Sequence, residues 1–111
     1  MKSICVPTSA AAMLRLDKDS CIEGDLVSID LDQDEFEMLL KSGLFGALNS
    51  ALDLMIDEFE DEVIPFESIS VAISIYNDYI DKIDIENDKQ AKFTQIFETA
   101  EKNKTGVFLF L

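Results

Sequence analysis

Through the middle of this chain apolar side chains recur at three- and four-residue spacing, whereas toward its two ends they alternate with polar ones or run together. Residues 1–6, Met-Lys-Ser-Ile-Cys-Val, are predicted as an opening strand, and residues 9–16 have the Ala-rich composition of a short helix. Leu26, Val27, Ser28, Ile29, Asp30 and Leu31 fit a half-buried strand with Ile29 and Leu31 on one face, entered through a turn at Gly24. A helix starts next, because Asp32 can cap it and Glu35, three residues on, completes a capping box. Phe36, Leu39 and Leu40 form its buried stripe, and Gly43 ends it in the left-handed conformation that glycine adopts at little cost.

The spacing then predicts a second long helix, with Phe45, Leu48, Leu52, Met55, Ile56 and Phe59 buried and Asn49, Asp53, Asp57, Glu60 and Asp61 on the opposite side. Ile64-Pro65 interrupts it, and Pro65 suits the first turn of a third helix. Its stripe is Ile69, Ala72, Ile73, Tyr76, Ile80 and Ile83, widened by Val71, Ile75 and Tyr79, so this helix is expected to be the most buried. A fourth helix over 87–102 places Phe93, Ile96, Phe97 and Ala100 on one face, with Lys102 and Lys104 complementing its C-terminal dipole. After Gly106, the apolar run 107–111 reads as a buried strand that needs partners from the N-terminal third. The expected fold is α+β, a single domain over 1–111, with a small sheet of N- and C-terminal strands packed on about four helices.

Composition supports a folded core, since 48% of the 111 residues are apolar and eight are Phe. Charge narrows the partners. Asp and Glu number 23 against 9 Lys and Arg, a net of −14, which repels nucleic acid and anionic membranes and speeds encounter with cationic surfaces. Direct nucleic-acid binding is therefore not expected. Aspartate, glutamate or lysine interrupts every helix-length apolar window, so no membrane span is expected, and the N-terminus makes a poor signal peptide. Two cysteines, Cys5 and Cys21, are too few for a disulfide framework and sit in apolar contexts that suggest buried thiols; a cytoplasmic location follows.

The chain has no His, which removes the commonest general base and metal ligand together. Asp30-Leu31-Asp32-Gln33-Asp34 opens like a calcium loop, but the sixth position is Glu35 where Gly is required, and the twelfth is Lys41 where Glu is required. Neither an enzyme nor a metal or other cofactor is expected. What stands out is that no basic residue occurs between Lys41 and Lys82, an interval holding nine carboxylates. On the predicted helix, Asp57-Glu58-Phe59-Glu60-Asp61-Glu62 would set like charges near one another at a helix C-terminus, a costly arrangement that something other than stability maintains.

The run Leu54-Met55-Ile56-Asp57-Glu58-Phe59-Glu60-Asp61-Glu62-Val63-Ile64-Pro65, followed by a helix of the Ile69 to Ile80 type, resembles a pattern in small acidic immunity proteins of bacterial toxin systems, including those of contact-dependent growth inhibition. That resemblance covers about a third of the chain and implies a cytoplasmic antidote that binds a basic, commonly nuclease, toxin domain. The contact is expected on Asp53, Asp57, Glu58, Glu60, Asp61 and Glu62, with Tyr79 as an aromatic anchor and Tyr76 in the core. Two alternatives stay open: a DNA mimic inhibiting a nucleic-acid-binding protein, and a self-associating subunit that pairs copies through 107–111 as an edge strand. A monomer or weak homodimer fits either outcome.

Overall fold

A computed structural model describes residues 2–111, so Met1 of the expected opening strand lies outside the described residues. The order of elements is β1 (Lys2–Pro7), α1 (Ala10–Asp17), β2 (Leu26–Leu31), α2 (Gln33–Ser42), α3 (Leu44–Leu52), β3 (Asp61–Ile64), α4 (Phe66–Tyr79), a 3-10 turn (Ile80–Lys82), α5 (Asn87–Asn103) and β4 (Val107–Phe110). The strands form one antiparallel sheet in the order β2-β1-β4-β3. The fold is α+β, with five α-helices among the described residues where the apolar spacing suggested about four.

Alternation decides the two faces of the sheet. Ile4, Val6, Ile29, Leu31, Ile64, Val107 and Leu109 are all buried on one side, where α2 to α5 cover them. Tyr76, Phe93 and Phe97 stack at 4.9–5.7 Å between α4 and α5, and the Tyr76 hydroxyl shares a 2.9 Å hydrogen bond with Thr94, so the phenol enters the core without an unpaired oxygen. On the other face α1 packs against β1 through the buried Ala12. The loop between α1 and β2 is latched by the single arginine: Arg15 donates through Nε and a terminal nitrogen to both oxygens of the buried Asp25, each at 2.7 Å, and Asp25 also accepts from the Ile22 amide at 2.9 Å. These donors hold the Asp25 carboxyl down to about 2.

Asp32 and Glu35 form the expected capping box, and Gly43 closes α2 at φ 89°. Several expectations are corrected. The helix containing Phe45 and Leu48 stops at Leu52, because Asp53 turns left-handed at φ 56° and the chain must return as β3 to pair with β4. Met55 and Phe59 are consequently exposed, not part of a buried stripe. Leu40 is exposed beside the buried Phe36 and Leu39, and α4 is not buried all round, since Val71 faces solvent. Pro65 sits one position before α4, as its N-cap. Lys104 adopts φ 56° as the C-cap of α5. Cys5 is buried, and burial, then the nearby Cys21, push its thiol up to about 11; Cys21 itself is exposed. Finally β4 lies inside the sheet between β1 and β3, so 107–111 is no free edge through which copies could pair.

Candidate functional site: a pinned acidic loop

Residues 53–60 form a loop whose backbone is held by neighbouring side chains as well as by backbone hydrogen bonds. Asn49, on the last turns of α3, accepts from the Ile56 amide at 2.7 Å and donates to the Ile56 carbonyl at 3.0 Å, which pulls the Ile56 side chain into the core. Glu62 of β3 reaches back with both oxygens, accepting from the Met55 amide and from the Val63 amide at 2.9 Å each. Asp57 accepts from the Glu58 amide at 2.7 Å, and the Glu60 carbonyl accepts from the Leu111 amide at 3.2 Å, continuing the ladder between β3 and β4 by one rung.

Glu58 turns inward. Its carboxylate meets Lys2 at 3.0 Å and accepts from the Gln33 side chain at 2.9 Å, so the lysine first and the amide second hold its carboxyl below the usual range. Lys2 is a hub: its ammonium also donates to the Leu111 carbonyl at 3.3 Å and lies 5.0 and 5.1 Å from the ring centres of Phe36 and Phe59.

The predicted partner-binding residues therefore divide. Asp53, Asp57, Glu60 and Asp61 are exposed and lie together along the loop and the first residue of β3. Glu58 and Glu62 lie in the same stretch but spend their carboxylates on the fold. The expected charge stripe on a helix does not exist, because the stretch is loop and strand, so the supposed repulsion along a helix falls away. Tyr79 is not brought to this cluster. It packs at the junction of α2 and α3, where a Cβ on Gly43 would lie 3.2 Å from its ring, and Lys82 sits 4.7 Å from its centre. The acidic loop begins past the other end of α3, about 13 Å of helix away.

Met55 and Phe59 were missed as surface residues because their spacing matched a helical stripe. They are 77% and 86% exposed, the two highest values among the large apolar side chains on the surface. Phe59 holds φ 66°, a conformation that costs a bulky residue on the order of 1 kcal/mol. The left-handed Asp53 at the end of α3 is the one sequence signal that could have marked the break, since Asp tolerates that conformation better than most residues. The result is two exposed apolar side chains in the same stretch as four exposed carboxylates, of which Asp57 also caps the Glu58 amide.

Comparisons with family models, with curated proteins and with solved structures give no match for this chain. No helix among the described residues is long and apolar enough to cross a membrane.

Proposed function

We propose that this protein is a binding module that neutralises a basic protein domain in the cytoplasm, in the manner of the immunity proteins that its acidic stretch resembles. The observation that carries this reading is the loop 53–60, which exposes Met55 and Phe59 among Asp53, Asp57, Glu60 and Asp61 while other side chains hold its backbone in place. A loop ordered before binding loses little entropy on docking, and its apolar pair supplies the desolvated centre that charge alone does not provide. Its carboxylates steer a partner whose own substrate is a phosphate backbone, since such a partner carries a positive surface.

The test is capture of the tagged protein's partner from the cells that produce it, at low and high salt, followed by titration of the captured domain's nuclease activity. The expected outcome is one-to-one inhibition by the wild type. Reversing Asp57, Glu60 and Asp61 to Lys should slow association by about tenfold or more and flatten its salt dependence. Replacing Met55 and Phe59 by Ser should accelerate dissociation by about a hundredfold. Unchanged kinetics in both variants would refute this use of the loop.

A further inference from the structure

The sheet face turned away from α2 to α5 carries a second apolar surface. Val63 and Phe108 point there, because they alternate with the core residues Ile64, Val107 and Leu109. Together with Met13 of α1 and Phe66 of α4 they line a groove of about 390 Å³, and a hollow of about 220 Å³ over Phe110 adjoins it through the same Val63 and Phe108. The larger volume falls in the range, about 300–1,000 Å³, of sites that seat small ligands. Phe66 remains 42% exposed at its rim. Glu67, three residues past the end of β3, borders the groove, and Asp61, the first residue of β3, borders the adjoining hollow; among the described residues no Lys or Arg lines either hollow.

We propose that this groove binds an extended peptide segment in which one apolar side chain lies between two basic ones, spaced so that all three project on the same face. In an extended chain such side chains recur every ~6.6 Å, placing the two cations ~13 Å apart. Asp61 opens β3, whose four residues span ~10 Å, and Glu67 follows its last residue by three, so one carboxylate stands toward each end of the strand while the apolar side chain enters between Val63, Phe66 and Phe108. The segment lies across the sheet face and does not join the sheet, because the Val63 amide on the free edge of β3 is already taken by Glu62. A second copy of this chain is a poor occupant, since acidic borders on a molecule of net charge −14 repel one another. The groove and the loop 53–60 share Asp61 but are otherwise distinct: the Lys2 and Glu62 side chains that hold that loop share the helix-covered face with Ile4 and Ile64.

The experiment is an amide chemical-shift titration of the full-length ¹⁵N-labelled protein with the blocked peptide Gly-Lys-Ser-Phe-Ser-Lys-Gly. Saturable shifts are expected at Met13, Val63, Phe66, Gly106 and Phe108, with a Kd below about 1 mM. Exchanging the peptide's Phe for Ser, or both Lys for Glu, should weaken binding by about tenfold or more. Phe66→Ser should do the same, and so should the isosteric pair Asp61→Asn with Glu67→Gln, which leaves packing untouched should the Phe66 variant fold poorly. Phe59→Ser should leave the affinity unchanged. The proposal is overturned by no saturable shift up to about 1 mM peptide, by shifts confined to 53–60, by equal binding of the Glu-containing peptide, which would make the groove an indiscriminate apolar pocket, or by concentration-dependent shifts without peptide, which would make it a self-association surface.

Discussion

β2 and β3 are the two edges of one sheet, and each has an outward-facing backbone group covered by a charged side chain, but the charges are opposite. On β2 the Asp30 carbonyl accepts from Lys89 of α5 at 3.1 Å, and Lys89 also pairs with Glu35 of the capping box, so that edge is tied to two helices. On β3 the Val63 amide is covered by Glu62 of the same strand. Both devices discourage strand addition. The β2 edge ends there, six residues long and backed by helices, whereas the four-residue β3 edge is flanked by an exposed apolar loop on one side and an open groove on the other. An edge closed by its own anion, with apolar groups left outside it, is where the proposed docking of a cationic partner would take place.

The sharpest way to break this contrast is at the glycines that precede β4, the neighbour of β3, and β2. A Cβ on Gly106 would stand 2.7 Å from the Ile64 carbonyl oxygen, so Gly106→Ala must push β4 from β3 and should cost about 2–3 kcal/mol in urea unfolding. Gly24, before β2, holds φ 85° in open space, and Gly24→Ala should cost only about 1 kcal/mol. Equal losses would mean that β3 adjusts more freely than its packing implies.

Next in size is Asn49→Ala, which strips both hydrogen bonds from the Ile56 backbone and should cost about 2 kcal/mol, with faster amide exchange at Ile56 as the local sign. Unaltered exchange would show that Asn49 does not hold the loop.

A smaller effect, confined to acid, belongs to the β2 side. Asp25 has its carboxyl depressed to about 2 by Arg15 and the Ile22 amide, so the folded state holds the proton less tightly than the unfolded chain, whose Asp titrates near about 4. The stabilisation is complete above that ordinary value and is lost as pH falls from about 4 toward 2. Melting temperature should drop through that window, and Asp25→Asn should flatten the drop; an unchanged slope would remove Asp25 from the account. The smallest effect is expected from Phe59→Gly, which relieves the left-handed strain and should leave stability unchanged or raise it by about 1 kcal/mol while partner affinity falls. A marked loss of stability would show that the ring serves the fold through Lys2.

Elements whose signals are local were legible in the sequence: the Asp32 and Glu35 capping box, the Gly43 stop, the alternating Ile29 and Leu31, and the Phe93, Ile96, Phe97 and Ala100 stripe all stand where the spacing placed them. The acidic cluster was legible as a segment, and four of its six carboxylates are exposed. What misled was the stretch 53–64, where three- and four-residue spacing continues past the true end of α3. Its apolar positions fit a helix equally well, and only the demand of β4 for a neighbour turns the segment into a loop and a strand.

The sequence by itself therefore determined the class of fold, the helix boundaries marked by caps and glycine, and the acidic character of one segment, because those depend on hydrogen bonds and charges between near neighbours. The tertiary structure alone decided that β4 lies inside the sheet, that Met55 and Phe59 face solvent, that Glu58 and Glu62 are spent internally, and that Tyr79 lies away from the loop. Each of these rests on partners distant along the chain, such as Lys2 with Glu58 or Ile64 with Val107, and periodicity within one element carries no information about contacts of that range.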